Sequence, residues 1–149
     1  MIRAIPFAVS LLLAVPAAAQ SSSGAWSYHF HMGVGQYLTG EWDSPTGGAL
    51  NLSCLKGGRV SIMAQIKGQA PPAGSVLRLV ASSREGDAES RFTVDAKGSA
   101  EMRADSAAFR TLWASLRARD IVTLRYADHR FSVQSLDGAQ KLLPVKPCG

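Results

Sequence analysis

The sequence predicts an all-β fold, a β-sandwich or a small barrel-like domain, with one amphipathic helix near residues 106–118. About seven or eight short strand-like runs are separated by turn signals rich in Gly, Pro, Asp and Ser. Only one segment has the apolar spacing of a helix. A parallel α/β sheet is not expected, because it needs a helix between most pairs of strands.

The strand pattern begins at "WSYHFHMG", where apolar side chains at the even positions from Trp26 to Met32 alternate with polar ones. This alternation predicts a strand with one buried face and with the histidines on the other face. The glycines of "GVGQYLTG" are interpreted as turn residues. Two runs around Gly57 and Gly58 predict a β-hairpin, "ALNLSCL" and "RVSIMAQI". Later strands are predicted at "SVLRLVAS", "ESRFTVDA", "SAEMRAD", "IVTLRY" and "RFSVQS".

The predicted helix lies in "DSAAFRTLWASLRARD", which offers Asp105 or Ser106 as an N-cap. Its apolar residues follow the i, i+3, i+4, i+7 spacing of an amphipathic helix, namely Phe109, Leu112, Trp113 and Leu116. Arg110 and Arg117 are expected on the far side of the helix, away from this stripe. We expect Trp113 to belong to the core rather than to anchor a partner.

Residues 1–19 are typical of a secretory signal peptide, with a positive charge at Arg3, an apolar run and small residues at Ala17 and Ala19. The apolar run is interrupted by proline and is shorter than the roughly 20 residues that span a bilayer. We therefore predict that residues 20–24 form a flexible lead-in and that residues 25–149 form a single domain. No transmembrane segment is expected in the mature chain, and the predicted location is periplasmic or secreted.

Two cysteines, Cys54 and Cys148, follow the predicted leader. A cysteine pair tends to close in the oxidising compartments that exported chains enter, so a Cys54–Cys148 disulfide is predicted. The chain carries a net charge of +5, with its basic residues dispersed. Nucleic-acid modules cluster their basic residues with stacking aromatics, so no nucleic-acid partner is expected.

Motifs for common enzyme chemistries do not occur at usable spacings. The glycines of "GVGQYLTG" do not fit a dinucleotide-binding fingerprint, and no G-x-S-x-G marks a nucleophilic serine. Glu41 and Asp43 are a weak basis for a glycosidase. The sequence therefore predicts a protein that is not an enzyme and that needs no cofactor.

Binding residues are predicted on exposed faces. His29 and His31 share one strand face, and Arg110 and Arg117 lie on the polar side of the helix; these four form the predicted partner-binding surface. An alternative is a metal site formed by His29, His31 and His129, since histidines two apart on a strand can chelate one ion. We expect no metal in the first interpretation.

The segments "LNLSCLKGGRVSI" and "LWASLRARDIVTLRYADHRFSV" and the terminal "PVKPC" resemble small periplasmic proteins of proteobacteria of the invasion-associated locus B type. That group usually has more cysteines than the two found here. The resemblance implies a non-enzymatic protein of the bacterial envelope.

The sequence as a whole predicts an exported binding or accessory protein whose partner is an envelope protein or an anionic glycan. A further alternative is an assembly component that docks through an open sheet edge.

Overall fold

The structure, a computed structural model, describes residues 21–148 as two five-stranded sheets and one α-helix. The first sheet has the strand order β1-β10-β9-β6-β7, and the second has the order β2-β3-β4-β5-β8. The strands are β1 (Ser21–Gly24), β2 (Ser27–His31), β3 (Val34–Gly40), β4 (Gly48–Leu55), β5 (Arg59–Ile66), β6 (Val76–Ser83), β7 (Gly86–Thr93), β8 (Ser99–Arg103), β9 (Ile121–Tyr126) and β10 (His129–Ser135). A 3₁₀ helix follows at Leu136–Leu142.

The two sheets pack against each other as a sandwich, which confirms the all-β prediction. Neighbouring strands are antiparallel except for β1, which runs parallel to β10. Since the strands of the described residues form two separate sheets, the sandwich is the alternative that holds. The predicted hairpin of β4 and β5 is present, with Leu52 opposite Ile62.

The core lies between the sheets and is formed by buried apolar side chains of the central strands. Leu50 and Leu52 of β4 face inward, as do Leu77 and Leu79 of β6. The sheets approach closely at Gly48, where an added Cβ would lie 2.6 Å from a ring carbon of Phe131. A larger residue at this position would force the sheets apart.

The helix α1 (Ala107–Ala118) confirms the predicted segment and its N-cap. The backbone N–H of Phe109 donates to Ser106 Oγ at 3.2 Å, which satisfies one of the unpaired donors of the first turn. The apolar stripe is buried against β6, β7 and the 3₁₀ helix. Trp113 is 3% exposed, so it belongs to the core as predicted.

Three predictions at the N-terminal side were wrong or differ from the structure. The even-numbered side chains of β2 are not buried, since Tyr28 is 55% and Phe30 is 68% exposed. The reason is that β2 is an edge strand of the second sheet, with a neighbouring strand on one side only. Of the glycines interpreted as turn residues, Gly33 does lie in a turn, whereas Gly35 and Gly40 belong to β3. Part of the expected lead-in, Ser21–Gly24, pairs with β10, whose outer backbone groups accept a further strand.

The predicted signal peptide, residues 1–19, lies outside the described residues. No helix in the part of the chain that the structure describes is long and apolar enough to cross a membrane.

Alkaline pH is expected to destabilise the fold through Tyr126. This side chain is 2% exposed, its hydroxyl donates to the Gln69 carbonyl, and burial raises its pKa to about 12. Because the folded pKa lies above the usual value near 10, the stabilisation is complete below about pH 10 and is lost as the pH rises towards 12.

The measurement is urea unfolding at several pH values between neutral and strongly alkaline. Tyr126→Phe should remove part of the alkaline loss, whereas Tyr28→Phe, at an exposed ring, should leave it unchanged. An identical alkaline slope in the wild type and Tyr126→Phe would contradict the prediction.

Candidate functional site

The C-terminal segment, defined here as residues 143–148, crosses from the helix to the second sheet. It ends at a disulfide between Cys54 of β4 and Cys148, with an S–S distance of 2.00 Å, which confirms the predicted pairing. The Tyr37 hydroxyl of β3 donates to the Pro147 carbonyl at 2.9 Å. The segment is therefore attached to the sheet by one covalent bond and by one side-chain hydrogen bond.

The helix holds the same segment from the other side. Trp113 Nε1 donates to the Pro144 carbonyl at 2.8 Å, and Arg117 Nε donates to the Leu143 carbonyl at 2.9 Å. These bonds occupy carbonyl groups of an irregular segment that pairs with no strand. The C-terminal segment is thus a fixed wall beside α1 rather than a loose tail.

A groove lies between α1 and the C-terminal segment, with a volume of about 530 Å³. We call it the helix groove. Its apolar lining comes from Phe109 and Trp113 of the helix and from Val145 and Pro147 of the segment. Phe109 and Trp113 are almost fully buried, whereas Val145 is 72% exposed. The helix groove therefore offers an apolar base and an apolar outer wall.

The charged side chains of the helix groove are mostly cationic. Arg110, Arg117 and Lys146 line it, together with a single acidic residue, Asp105. Arg103 binds the Asp105 carboxylate through two hydrogen bonds, of 2.9 and 3.0 Å, and these bonds hold the pKa of Asp105 below its usual range. Since Asp105 is ionised and already paired with Arg103, the three cations dominate the groove.

Both arginines retain hydrogen-bonding capacity. Arg117 uses Nε for the Leu143 carbonyl, and Arg110 uses Nη1 for the Asp105 carbonyl at 2.8 Å. A guanidinium carries five N–H donors in a planar fork that matches carboxylates and phosphates. One bond per side chain fixes its direction and leaves donors for an anionic ligand.

The predicted histidine pair lies elsewhere. His29 and His31 belong to β2, where they alternate with Tyr28 and Phe30 and project from the outer face of the second sheet. The inner face is the one that meets the helix, because Tyr37 of β3 packs against Trp113 with ring centroids 5.0 Å apart. The structure therefore splits the predicted surface: Arg110 and Arg117 share the helix groove, and the histidines do not.

The predicted metal set is also divided. His129 lies in β10 of the other sheet, beside Tyr126 and 3.7 Å from an Asp128 carboxylate oxygen. His29 makes a 3.2 Å contact with Ser27 Oγ in its own strand. Within residues 21–148, no three His, Cys, Asp or Glu side chains are grouped so that they could hold a metal ion. The three histidines therefore do not form the joint site that was predicted as the alternative.

Comparison with known proteins assigns the chain to a family. The family model named YfjT matches residues 24–143, which include the strands β2 to β10 and the helix α1. The chain belongs to the YfjT family. None of the curated proteins and none of the solved structures that were compared matches this YfjT-family chain. The name YfjT denotes no activity or ligand.

The C-terminal wall of the groove was not found from the sequence. Lys146, Val145 and Pro147 stand in a short irregular stretch with no periodicity that would mark a site. The available signal was the predicted disulfide at Cys148, which requires the preceding residues to lie near β4. What could not be predicted is that α1 lies alongside them.

Proposed function

We propose that this YfjT-family protein is an exported, non-enzymatic binding or accessory protein of the bacterial envelope, acting in the periplasm or beyond. In this proposal it holds an anionic partner in the helix groove. The disulfide supports export, because such bonds persist in oxidising compartments and are rare in the cytosol. The resemblance to the invasion-associated locus B group remains a prediction that points the same way.

The proposal depends on one observation, which is that cationic side chains and an apolar base lie in the same groove. Arg110 and Arg117 stand seven residues apart on α1, on either side of the buried ring of Trp113. A ligand with a carboxylate or phosphate could reach a guanidinium while an apolar group contacts Trp113 and Val145.

An acidic protein segment fits the helix groove better than an anionic glycan. Six apolar residues line the groove, namely Ala104, Phe109, Trp113, Ala114, Val145 and Pro147. A peptide offers both acidic and apolar side chains, whereas a glycan offers mainly hydroxyl groups. We therefore propose an envelope protein with an acidic, partly apolar segment as the partner. If the captured material is an anionic glycan, the partner is a glycan and not a protein.

Replacing Arg110 and Arg117 together by serine is expected to weaken partner capture by at least about tenfold, because charge-assisted hydrogen bonds are lost. The matched control is the pair Arg125→Ser and Arg130→Ser, which removes the same charge from register partners on β9 and β10. The measurement is capture from a native envelope fraction by the protein with its disulfide intact, with mass spectrometry of the bound material and titration of what is found.

The proposal requires a species that the wild type and the control pair retain and the groove variant loses. Binding should also weaken as salt is raised, since exposed charges are screened. Equal loss in both variants would show that general charge, and not the helix groove, holds the partner. Nothing retained above a reduced and unfolded sample would reject a binding function.

A further inference from the structure

The edge strand β2 differs from the other sheet edges in the described residues. It has no Lys, Arg, Asp or Glu side chain, and the tyrosine and phenylalanine that it carries are more than half exposed. Met32 in the following turn is 83% exposed. An exposed edge with apolar side chains and unpaired backbone groups is a template for a further strand.

The remaining edges have features that discourage such pairing. β7 carries Asp87, Glu89 and Arg91, and Glu89 is bound to Arg78 and Arg91 at 2.8 and 2.5 Å. β8 carries Glu101 and Arg103. β1 is only four residues long. Charged side chains and short length are the usual protections of an edge, so β2 is the edge left open.

The hairpin turn shows which backbone groups of β2 are available. Met32 and Gly33 form a two-residue turn, with φ of 50° and 77°, that joins the paired residues His31 and Val34. The pair that flanks such a turn is hydrogen-bonded, and bonded and non-bonded pairs alternate from there. The N–H and C=O groups of His29 and His31 therefore face β3, and those of Tyr28 and Phe30 face outward.

We propose that β2 pairs in antiparallel orientation with β2 of a second copy of this chain, about a two-fold axis at His29. This register places Tyr28 opposite Phe30 of the partner copy, so that each such pair exchanges both outward backbone hydrogen bonds. It also brings the two aromatic side chains together across the strands, twice in the dimer, which is a favourable cross-strand pair.

A second copy suits this edge better than an unrelated strand. The register is self-complementary, as an interface with two-fold symmetry requires. The chain carries a net charge of +5, yet no lysine, arginine or acidic residue stands in β2. Two copies can thus meet at this strand without opposing like charges, and their second sheets join into one continuous sheet.

The first test is sedimentation velocity of the full protein, with its disulfide intact, over a range of concentrations at pH 8. Wild type is expected to dimerise. Phe30→Pro removes an outward N–H without breaking the bonds to β3, and Phe30→Lys adds a charge to the edge; each should raise the dimer dissociation constant at least about tenfold. Val76→Lys, at a 45% exposed residue of β6, is the matched control and should dimerise as the wild type does.

The second test determines the register in which the two β2 strands pair. In the proposed dimer His29 faces itself in a non-hydrogen-bonded pair, where the short Cα separation suits a disulfide, so His29→Cys should cross-link under mild oxidation. Ser27→Cys should not, because residue 27 faces residue 31 of the partner. The proposal would be overturned if the wild type stays monomeric or if dimers persist in both Phe30 variants. It would also be overturned if the two cysteine variants cross-link equally. A protein that stays monomeric and pairs its β2 edge only with an added extended peptide would likewise contradict the proposed dimer.

Discussion

Removal of the Cys54–Cys148 disulfide is expected to lower the free energy of unfolding by about 4 to 5 kcal/mol. The two cysteines are 94 residues apart, and in the chain-entropy model a cross-link that closes so long a loop restricts the unfolded chain by this amount. The measurement is guanidinium unfolding of the wild type and of the double variant Cys54→Ser/Cys148→Ser.

Two comparisons make the disulfide experiment specific. Reduced wild type should match the double variant, since both lack only the cross-link. Tyr37→Phe removes the hydrogen bond to the Pro147 carbonyl and should cost only about 1 kcal/mol. A loss of less than about 1 kcal/mol in the double variant would show that the non-covalent contacts of the C-terminal segment already hold it in place.

Truncation of Trp113 to alanine is expected to cost about 3 to 5 kcal/mol, the range observed for large aromatic residues removed from cores. Trp113 is 3% exposed and lies between Tyr37 and Phe109, with ring centroids 5.0 and 6.1 Å away. Its indole also donates to the Pro144 carbonyl. The truncation would leave a cavity and would release one wall of the helix groove at the same time.

Milder variants separate these effects. Trp113→Phe keeps a ring but loses the hydrogen bond, and should cost about 1 to 3 kcal/mol with the Pro144 carbonyl left unpaired. Thr111→Ala, at an exposed position of the same helix, should change stability by no more than about 0.5 kcal/mol. Unfolding curves of all three variants test the assignment, and a Trp113→Ala protein as stable as Thr111→Ala would contradict it.

Short sequence patterns were sufficient to predict most strands and the helix, because the interactions that form these elements involve residues close together in the chain. The helix follows from its apolar spacing and from Ser106, whose hydroxyl accepts the bond predicted for an N-cap. The β4–β5 hairpin follows from alternation around Gly57 and Gly58. The strand β3 was missed because Gly35 looks like a turn residue in sequence. In the sheet, an added Cβ at Gly35 would lie 2.8 Å from the Tyr28 hydroxyl, so the glycine makes room for that ring.

Only part of the helix groove could be predicted from the sequence. The spacing placed Arg110 and Arg117 on the far side of α1, whereas both line the helix groove with Trp113. Nothing in the spacing could show that residues 143–148 lie beside them. The histidines were predicted on an exposed strand face and are found there. Their separation from the arginines follows from the side-chain alternation of β2 and from the face of the second sheet on which α1 packs.

The sequence by itself determined the all-β class, the helix α1 with its N-cap, and the cysteine pairing. These depend on periodicity, on capping chemistry and on there being only two cysteines to join. Only the tertiary structure decided which strand became an open edge and which charges came to share a groove. Edge position and groove lining depend on how sheets order their strands and where a helix packs, and such contacts join residues far apart in the chain.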